Sequence, residues 1–295
     1  GYMGPGLPGQ RSALVAADRA FVEKQWSLAP GTLRETGGNG VIAMFEAMER
    51  GEIKACWVIC ANPVATVANR RHVVQALEAA EYVIVQDAFA DSETTHFADI
   101  VLPAALWAEG DGVQVNSDRT MTLARKAVPP PGEALADWDI IARVARAMGF
   151  EKDFAFTSAA DVFAEASRFS NSKTGYDITG ISHARLRKGP VQWPAPAGDQ
   201  QDRHPIRYLP PDGHDPVFAT ADGKGVFFAR PWMRPSEWPD EEFPFVLNSG
   251  CLQHQWHTLT KTGRVDSLNR LNPGPFVEVA PQDALILGLQ QDDNV

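Results

Sequence analysis

A chain of 295 residues, 44% of them hydrophobic, is long enough for about two domains and can bury a substantial core. Its formal net charge of -10 argues against nucleic acid as a partner, because phosphate binding requires a concentrated basic face. No apolar run of about 18 residues occurs and no basic segment leads into an apolar one at the start, so neither a membrane span nor a signal peptide is expected.

The spacing predicts a helix over Phe45 to Arg50, stopped by Gly51. Ala55 to Cys60 is a β-prone apolar run closed by Asn62-Pro63. Arg70 to Ala80 carries Val73, Val74, Leu77 and Ala80 at helical spacing, and Tyr82 to Val85 and Asp99 to Leu102 are two further short strands. Continuous apolar strands alternating with helices predict an α/β fold with a parallel sheet covered on both faces. In such sheets ligands bind beyond the C-terminal strand ends. Those ends place Asn62, Gln86-Asp87, Pro103 and the loop from Trp107 to Gly112 on one rim.

Further along, Glu109-Gly110-Asp111-Gly112 reads as a turn leading into a strand at Val113 to Asn116. Asp137 to Met148 reads as an amphipathic helix with Asp137 as its N-cap. From about Ser170 to Glu242 the pattern weakens and reads as a connecting region, with candidate strands at Val217-Phe218 and Gly225 to Phe228. From Phe243 β character returns, including Val277-Glu278-Val279, followed by a short helix from Asp283 to Leu289. The expected division is residues 1–155 as a cofactor-binding domain, 156–242 as a connector and 243–295 as the start of a β-rich domain. The chain begins without Met and stops within what reads as a strand, so it is expected to be part of a longer protein.

The densest polar segment runs from Ser249 and Gly250 through Cys251 to His254-Gln255-Trp256-His257-Thr258. Imidazole and amide donors beside a flat indole suit a large, polar, partly aromatic, anionic ligand better than they suit a core. His254 and His257 are three apart without a visible third ligand, so donation to a ligand is favoured over metal binding. On the rim, Asp87 and Asp137 have a default role in capping, but two carboxylates there also suit guanine, whose adjacent N–H donors a carboxylate accepts together. Asn62, Glu109 and Asn116 are turn or loop polar residues by default and ligand contacts in that setting. Arg119 and Arg125 read as solvated charges. His96, His183, His204 and His214 read as structural or exposed. Cys56 and Cys60 fall on one face of a strand and read as buried free thiols; with Cys251 they form neither a disulfide framework nor a metal motif. No Gly-rich phosphate loop follows the first strand and no GxSxG elbow occurs, which disfavours a nicotinamide enzyme of the usual kind and a hydrolase.

Several strings resemble one family. Ile53-Lys54-Ala55-Cys56-Trp57-Val58-Ile59-Cys60-Ala61-Asn62-Pro63, Val85-Gln86-Asp87 with Thr94, Ala98 to Pro103, Trp107 to Arg119, and Pro131-Gly132-Glu133 with Asp137-Trp138 resemble the molybdopterin oxidoreductases of the DMSO-reductase type. Gln255-Trp256-His257-Thr258 with Thr262-Gly263-Arg264 resembles their nitrate reductase branch, and Asp177 to Gly180 with Gly189 to Pro194 resembles the bacterial assimilatory nitrate reductases. The resemblance implies a Rossmann-like cofactor domain followed by the start of a β-barrel domain. It implies a Mo-bis(molybdopterin guanine dinucleotide) cofactor held by Asn62, Gln86, Asp87, Glu109, Asn116, Asp137, Ser249, Gly250, His254, Gln255, Trp256, His257 and Thr258. Cys251 stands where these enzymes usually carry Arg, and Gly110 where many carry Lys.

The implied activity is reduction of nitrate to nitrite by oxygen-atom transfer in the cytoplasm, with electrons from a flavoprotein or a ferredoxin. A 4Fe-4S cluster and the molybdenum ligand are expected in an N-terminal part outside this chain. No catalytic or metal-ligating residue is therefore expected within it, and the chain alone is expected to be inactive. Formate dehydrogenase on the same scaffold is the alternative. A non-catalytic relative in a respiratory complex is a third reading, disfavoured by the polar rim.

Overall fold

The computed structural model describes residues 6–209, 213–271 and 274–294, and the chain divides into two compact units, Gly1–Pro231 and Trp232–Val295. The first unit opens with α1 (Ala16–Gln25) and α2 (Val41–Glu49). It continues through β1 (Ala55–Ile59), α3 (Pro63–Thr66), α4 (Arg70–Ala79), β2 (Tyr82–Asp87) and β3 (Ile100–Pro103). The three strands form a parallel sheet in the order β1-β2-β3, with Val58 opposite Val85 and Val85 opposite Val101.

Phe45 and Met48 of α2 and Val73, Ala76 and Leu77 of α4 pack with Val58, Val83 and Val85 into one core, which is where the expected helical spacing put them. The expected cover is complete on one face only. Ile59 and Ile100, whose side chains lie on the opposite face, are 39% and 38% exposed. Uninterrupted apolar strands are suited to two-sided burial, but the described residues cover that second face only in part.

After β3 the chain builds a second, antiparallel sheet from β4 (Gly112–Val115), β5 (Thr120–Ala124) and β6 (Val191–Gln192). Between β5 and β6 in sequence come α5 (Asp137–Ala147), α6 (Ala159–Ser167) and α7 (His183–Leu186). A second core gathers Met121, Tyr176, Ile178, Ile181, Leu186, Val191, Trp193 and Ala195. Most of these residues come from the stretch that reads as a connector. They are packed without long regular elements, so periodicity does not reveal them.

Arginine takes the place of regular hydrogen bonding there. Arg119 donates to the carbonyl oxygens of Trp193, His204 and Pro205, at 2.8 Å for His204 and 2.9 Å for Pro205. Arg119 and Arg207 also lie over the Trp193 ring, at 5.5 and 4.8 Å from its centroid. The reading of Arg119 as a solvated charge is thus corrected: burial, with Arg207 nearby, pushes its pKa below the usual guanidinium value. Arg185 similarly donates to the carbonyls of Gly180, Asp199 and Gln201 and to the Asp202 carboxylate. Gly180 is required by close approach, since a Cβ there would lie 2.3 Å from the Pro196 carbonyl oxygen.

The candidate strands at Val217-Phe218 and Gly225 to Phe228 do not form: the Val217 and Phe218 N–H groups bond to the carbonyls of Tyr208 and Gly223, Phe227 is 97% exposed, and no ladder to a neighbouring segment builds up among the described residues. In the second unit, α8 (Asp266–Asn269) and α9 (Pro281–Leu287) are the helices, α9 ending at Gly288 with φ 68°. Phe243 to Leu247 and Val277 to Val279 are exposed and form no strand, for the same reason. No closed barrel is present among the described residues, and none of their helices is long and apolar enough to cross a membrane.

Trp193→Ala is expected to lower the unfolding free energy by about 3–5 kcal/mol, the usual cost of truncating a buried tryptophan. Urea denaturation followed by circular dichroism checks this; a loss typical of a surface loop would show that 176–195 is not a packed core.

Candidate functional site

The parallel sheet ends on one level. Ile59 pairs with Gln86, Gln86 with Leu102, and Asp87 with Pro103, so the residues that follow each strand emerge together. Cys60 continues the ladder by donating its N–H to the Gln86 carbonyl at 2.9 Å, then turns left-handed at φ 51°. That turn takes its side chain out of the strand's alternation. Cys60 is therefore exposed, which corrects its reading as a buried thiol. Cys56 is half-buried, and burial pushes its thiol pKa up.

Gln86 is completely buried. Its Nε2 donates to Asp137 Oδ1 at 2.7 Å, and the Cys60 thiol donates to the same oxygen at 3.3 Å. Asp137 is not the N-cap of α5. Ala136 holds that position in extended conformation, and Asp137 is the first helical residue. Its carboxylate still benefits from the positive end of the helix, but its hydrogen bonds run across to the sheet. Asp87 closes a tight turn, accepting from the Phe89 N–H at 2.9 Å through Oδ1. The second oxygens of Asp87 and Asp137 accept nothing among the described residues, and neither does the buried Gln86 Oε1. A buried polar atom without a partner costs about 1–3 kcal/mol, which applies to Gln86 Oε1, while the second oxygens of the half-buried Asp87 and Asp137 add two further acceptors along the rim.

Asn62 occupies the rim differently. Its Nδ2 donates to Glu93 at 2.7 Å, and its Oδ1 accepts from Thr94 Oγ1 at 2.7 Å. Thr94 is fully buried and also receives the Val64 N–H at 3.3 Å, so Asn62 anchors the segment after β2 to the start of α3. Glu109 caps its own loop, accepting from the Leu106 N–H at 2.8 Å. Gly110 lies beside the entry to α5: a Cβ added there would be 3.8 Å from that of Ala136, ordinary contact that leaves room for a side chain. Asn116 is exposed at the turn between β4 and β5. The structure thus groups Gln86, Asp87, Asp137 and Asn62 at the strand ends, with the Glu109 loop next to α5 and Asn116 on a separate hairpin. Cys60, Glu93 and Thr94 are the additions that sequence reasoning missed as part of the rim's network. The signal for Cys60 was its position immediately after a parallel strand.

In the second unit, the run from Ser249 to Thr258 stands by itself. Gln255 is its anchor: it is buried, its Nε2 donates to Asn269 Oδ1 at 3.0 Å, and its Oε1 is buried without a partner among the described residues. The Trp256 N–H donates to Thr262 Oγ1 at 3.0 Å, while the indole is 65% exposed with the His257 ring edge-on at 4.5 Å. Thr258 and Thr260 share a hydroxyl contact at 3.0 Å. Ser249, Gly250 and His254 are exposed. The loop presents one indole and two imidazoles from a fixed base. No three His, Cys, Asp or Glu side chains converge as a metal-ligand set among the described residues.

The molybdopterin oxidoreductase family matches residues 10–147, and the molydopterin dinucleotide binding domain matches residues 245–295. The chain belongs to the molybdopterin oxidoreductases. It is 35% identical over 270 residues to a nitrate reductase of Synechocystis, covering 91% of this chain and 37% of that protein. It is 36% identical over 305 residues to the periplasmic nitrate reductase of Desulfovibrio desulfuricans, covering 98% of this chain and 40% of that one. It is also 35% identical over 243 residues to the alpha subunit of an F420-dependent formate dehydrogenase of Methanocaldococcus jannaschii, covering 82% of this chain and 34% of that protein. The chain therefore spans about two-fifths of the length of the nitrate reductases it matches. In fold it is similar to acetylene hydratase from Pelobacter acetylenicus, with a TM-score of 0.57 at 23% identity over 84% of this chain and 34% of that one.

Because both ends of the Asn62 amide are in use, Asn62→Ala should cost about 1–3 kcal/mol of stability by leaving the Thr94 hydroxyl without its acceptor. A denaturation midpoint equal to that of the parent would remove Asn62 from the structural network.

Proposed function

We propose that this chain is the cofactor-holding part of a molybdenum-dependent nitrate reductase, and that its polar rim holds the guanine ends of a molybdopterin guanine dinucleotide cofactor. The observation that carries this reading is the set of free acceptors at the strand ends: one oxygen each of Asp87 and Asp137, and the buried Oε1 of Gln86. A guanine edge offers adjacent N–H donors that match such acceptors, so the residues present fit the group. Open space at Gly110 beside α5 is compatible with a close approach of the cofactor.

Each side chain has a separate part in the proposal. Asp87 and Asp137 accept from guanine. Gln86 and Cys60 hold the Asp137 carboxylate in place from behind, since both donate to its Oδ1. Asn62, Glu109 and Asn116 fix neighbouring backbone or contact the cofactor from the rim. In the second unit, Gln255 anchors the run, while Ser249, Gly250, His254, Trp256, His257 and Thr258 supply donors and an aromatic surface to the same class of ligand. When bound, a molybdenum–pterin group supplies oxygen-atom transfer that reduces nitrate to nitrite, and the protein's part is to bind and orient it. A 4Fe-4S cluster elsewhere in the full-length protein, a flavoprotein or ferredoxin donor, and a cytoplasmic location complete the proposal.

The choice of nitrate is supported by the strings 177–180, 189–194 and 255–258. Ile178 and Trp193 in these strings are core residues, so they express kinship through packing and do not form a substrate pocket. Formate dehydrogenase remains the second reading, favoured by the 35% identity to the Methanocaldococcus enzyme.

In the full-length enzyme, Asp87→Asn and Asp137→Asn are each expected to weaken cofactor retention about ten- to a hundredfold, the equivalent of losing one charge-assisted hydrogen bond. Pterin and molybdenum content of the purified variants measures this, and parental occupancy in the double variant would sink the assignment. With artificial electron carriers, the full-length enzyme is expected to reduce nitrate and not to oxidise formate at a comparable rate. Formate turnover without nitrate reduction would establish the second reading.

A further inference from the structure

A concavity of about 520 Å³ lies between the end of β5, the segment that follows it, and α7. That size is within the range of small-molecule sites, about 300–1,000 Å³. Three cations line it: Arg125 and Lys126 from the chain leaving β5, and Arg187 from the C-terminal end of α7. The protein as a whole carries a net charge of -10, so a local excess of positive charge is out of keeping with its surroundings.

None of these three cations forms an ion pair among the described residues. The contact of the Arg125 guanidinium is to the Arg187 main-chain carbonyl, at 3.3 Å. The one carboxylate in the wall, Asp111, accepts the Lys126 backbone N–H at 2.8 Å through Oδ1. Three cations thus share the wall with a single carboxylate, and the local charge is net positive.

A second observation points to the same concavity. His183 lines it, is 7% exposed, and has an Nε2 that is buried without a hydrogen-bond partner among the described residues. It stands one helical turn before Arg187. Burial, followed by the Arg187 charge, pushes its pKa down, so near neutral pH the ring is an uncharged donor or acceptor. Leu123 and Val128 supply an apolar part of the wall.

We propose that this concavity is a binding site for a small anionic molecule that has an oxyanion head, phosphate or carboxylate, joined to a compact apolar body. Arg125, Lys126 and Arg187 take the head, and Leu123 and Val128 take the body. None of the side chains assigned to the cofactor lines it, although Asp111 belongs to the loop from Trp107 to Gly112, and the site does not depend on that assignment.

Isothermal titration of the full-length holoenzyme at fixed ionic strength tests this, with phenyl phosphate, benzoate and neutral benzyl alcohol as probes. Saturable binding of phenyl phosphate or benzoate is expected, with none for benzyl alcohol, and the tighter anion identifies the head group. Arg125→Ala and Arg187→Ala should each weaken binding at least about tenfold, the effect of removing one charge-assisted hydrogen bond. Both residues are exposed, and circular dichroism of the variants checks that the fold is retained. Lys152→Ala, which removes an exposed cation outside the concavity, should leave the affinity unchanged. Absence of saturable binding by either anion, unchanged affinity in the Arg125→Ala/Arg187→Ala double variant, or an equal loss at Lys152→Ala would overturn the proposal.

Discussion

The 2.7 Å hydrogen bond from Gln86 Nε2 to Asp137 Oδ1 joins the last turn of a parallel strand to the first residue of a helix 51 positions away. It is the constraint on which the rim depends. Gln86 is fully buried, so its amide is held in place by packing, and the orientation of the Asp137 carboxylate follows from it. The Cys60 thiol adds a weaker donor on the same oxygen. Two donors on one oxygen direct the other oxygen away from the sheet. The Asp137 carboxylate is thus oriented by the chain's own bonds, and preorganisation of this kind lowers the ordering cost that the proposed binding would carry.

Around that bond, polar side chains have two kinds of task. Asn62 and Glu109 bind their own surroundings, one by bridging Glu93 and Thr94, the other by closing a loop. Asp87 combines both tasks, with one oxygen on the Phe89 N–H and the other free among the described residues. The division explains why capping and ligand contact are not competing roles for a carboxylate. It has two oxygens, and a turn needs only one.

The second core is organised on a different principle. The largely irregular chain between Tyr176 and Ala195 buries Trp193 and Ile178, and Arg119 and Arg185 tie its Trp193 and Gly180 carbonyls to those of His204, Pro205, Asp199 and Gln201 beyond it. A planar guanidinium can reach several carbonyls at once, which suits a segment with few ladder bonds. Sequence periodicity has no signature for such an arrangement, since a half-buried arginine serving distant carbonyls is spelled the same way as an exposed one.

The elements of the parallel sheet were legible in the chain because apolar spacing reports directly on local geometry. The runs from Ala55, Tyr82 and Asp99 and the helical stripe Val73-Val74-Leu77 needed no distant contact to be recognised. The level of the rim followed, because parallel strands end on the same side, and this placed Asn62, Gln86 and Asp87 at the strand ends. The strings of the family resemblance were likewise local. What only the tertiary structure decided were relations between distant residues: that Asp137 bonds to Gln86 instead of capping its helix, that Cys60 turns outward, that the half-buried Arg119 lies over Trp193, and that the apolar runs near Phe227 and Phe243 join no sheet among the described residues. Each of these depends on the partner available in space. Spacing along the chain carries information about a residue's own face and turn, and a hydrogen bond across 51 positions is outside its reach.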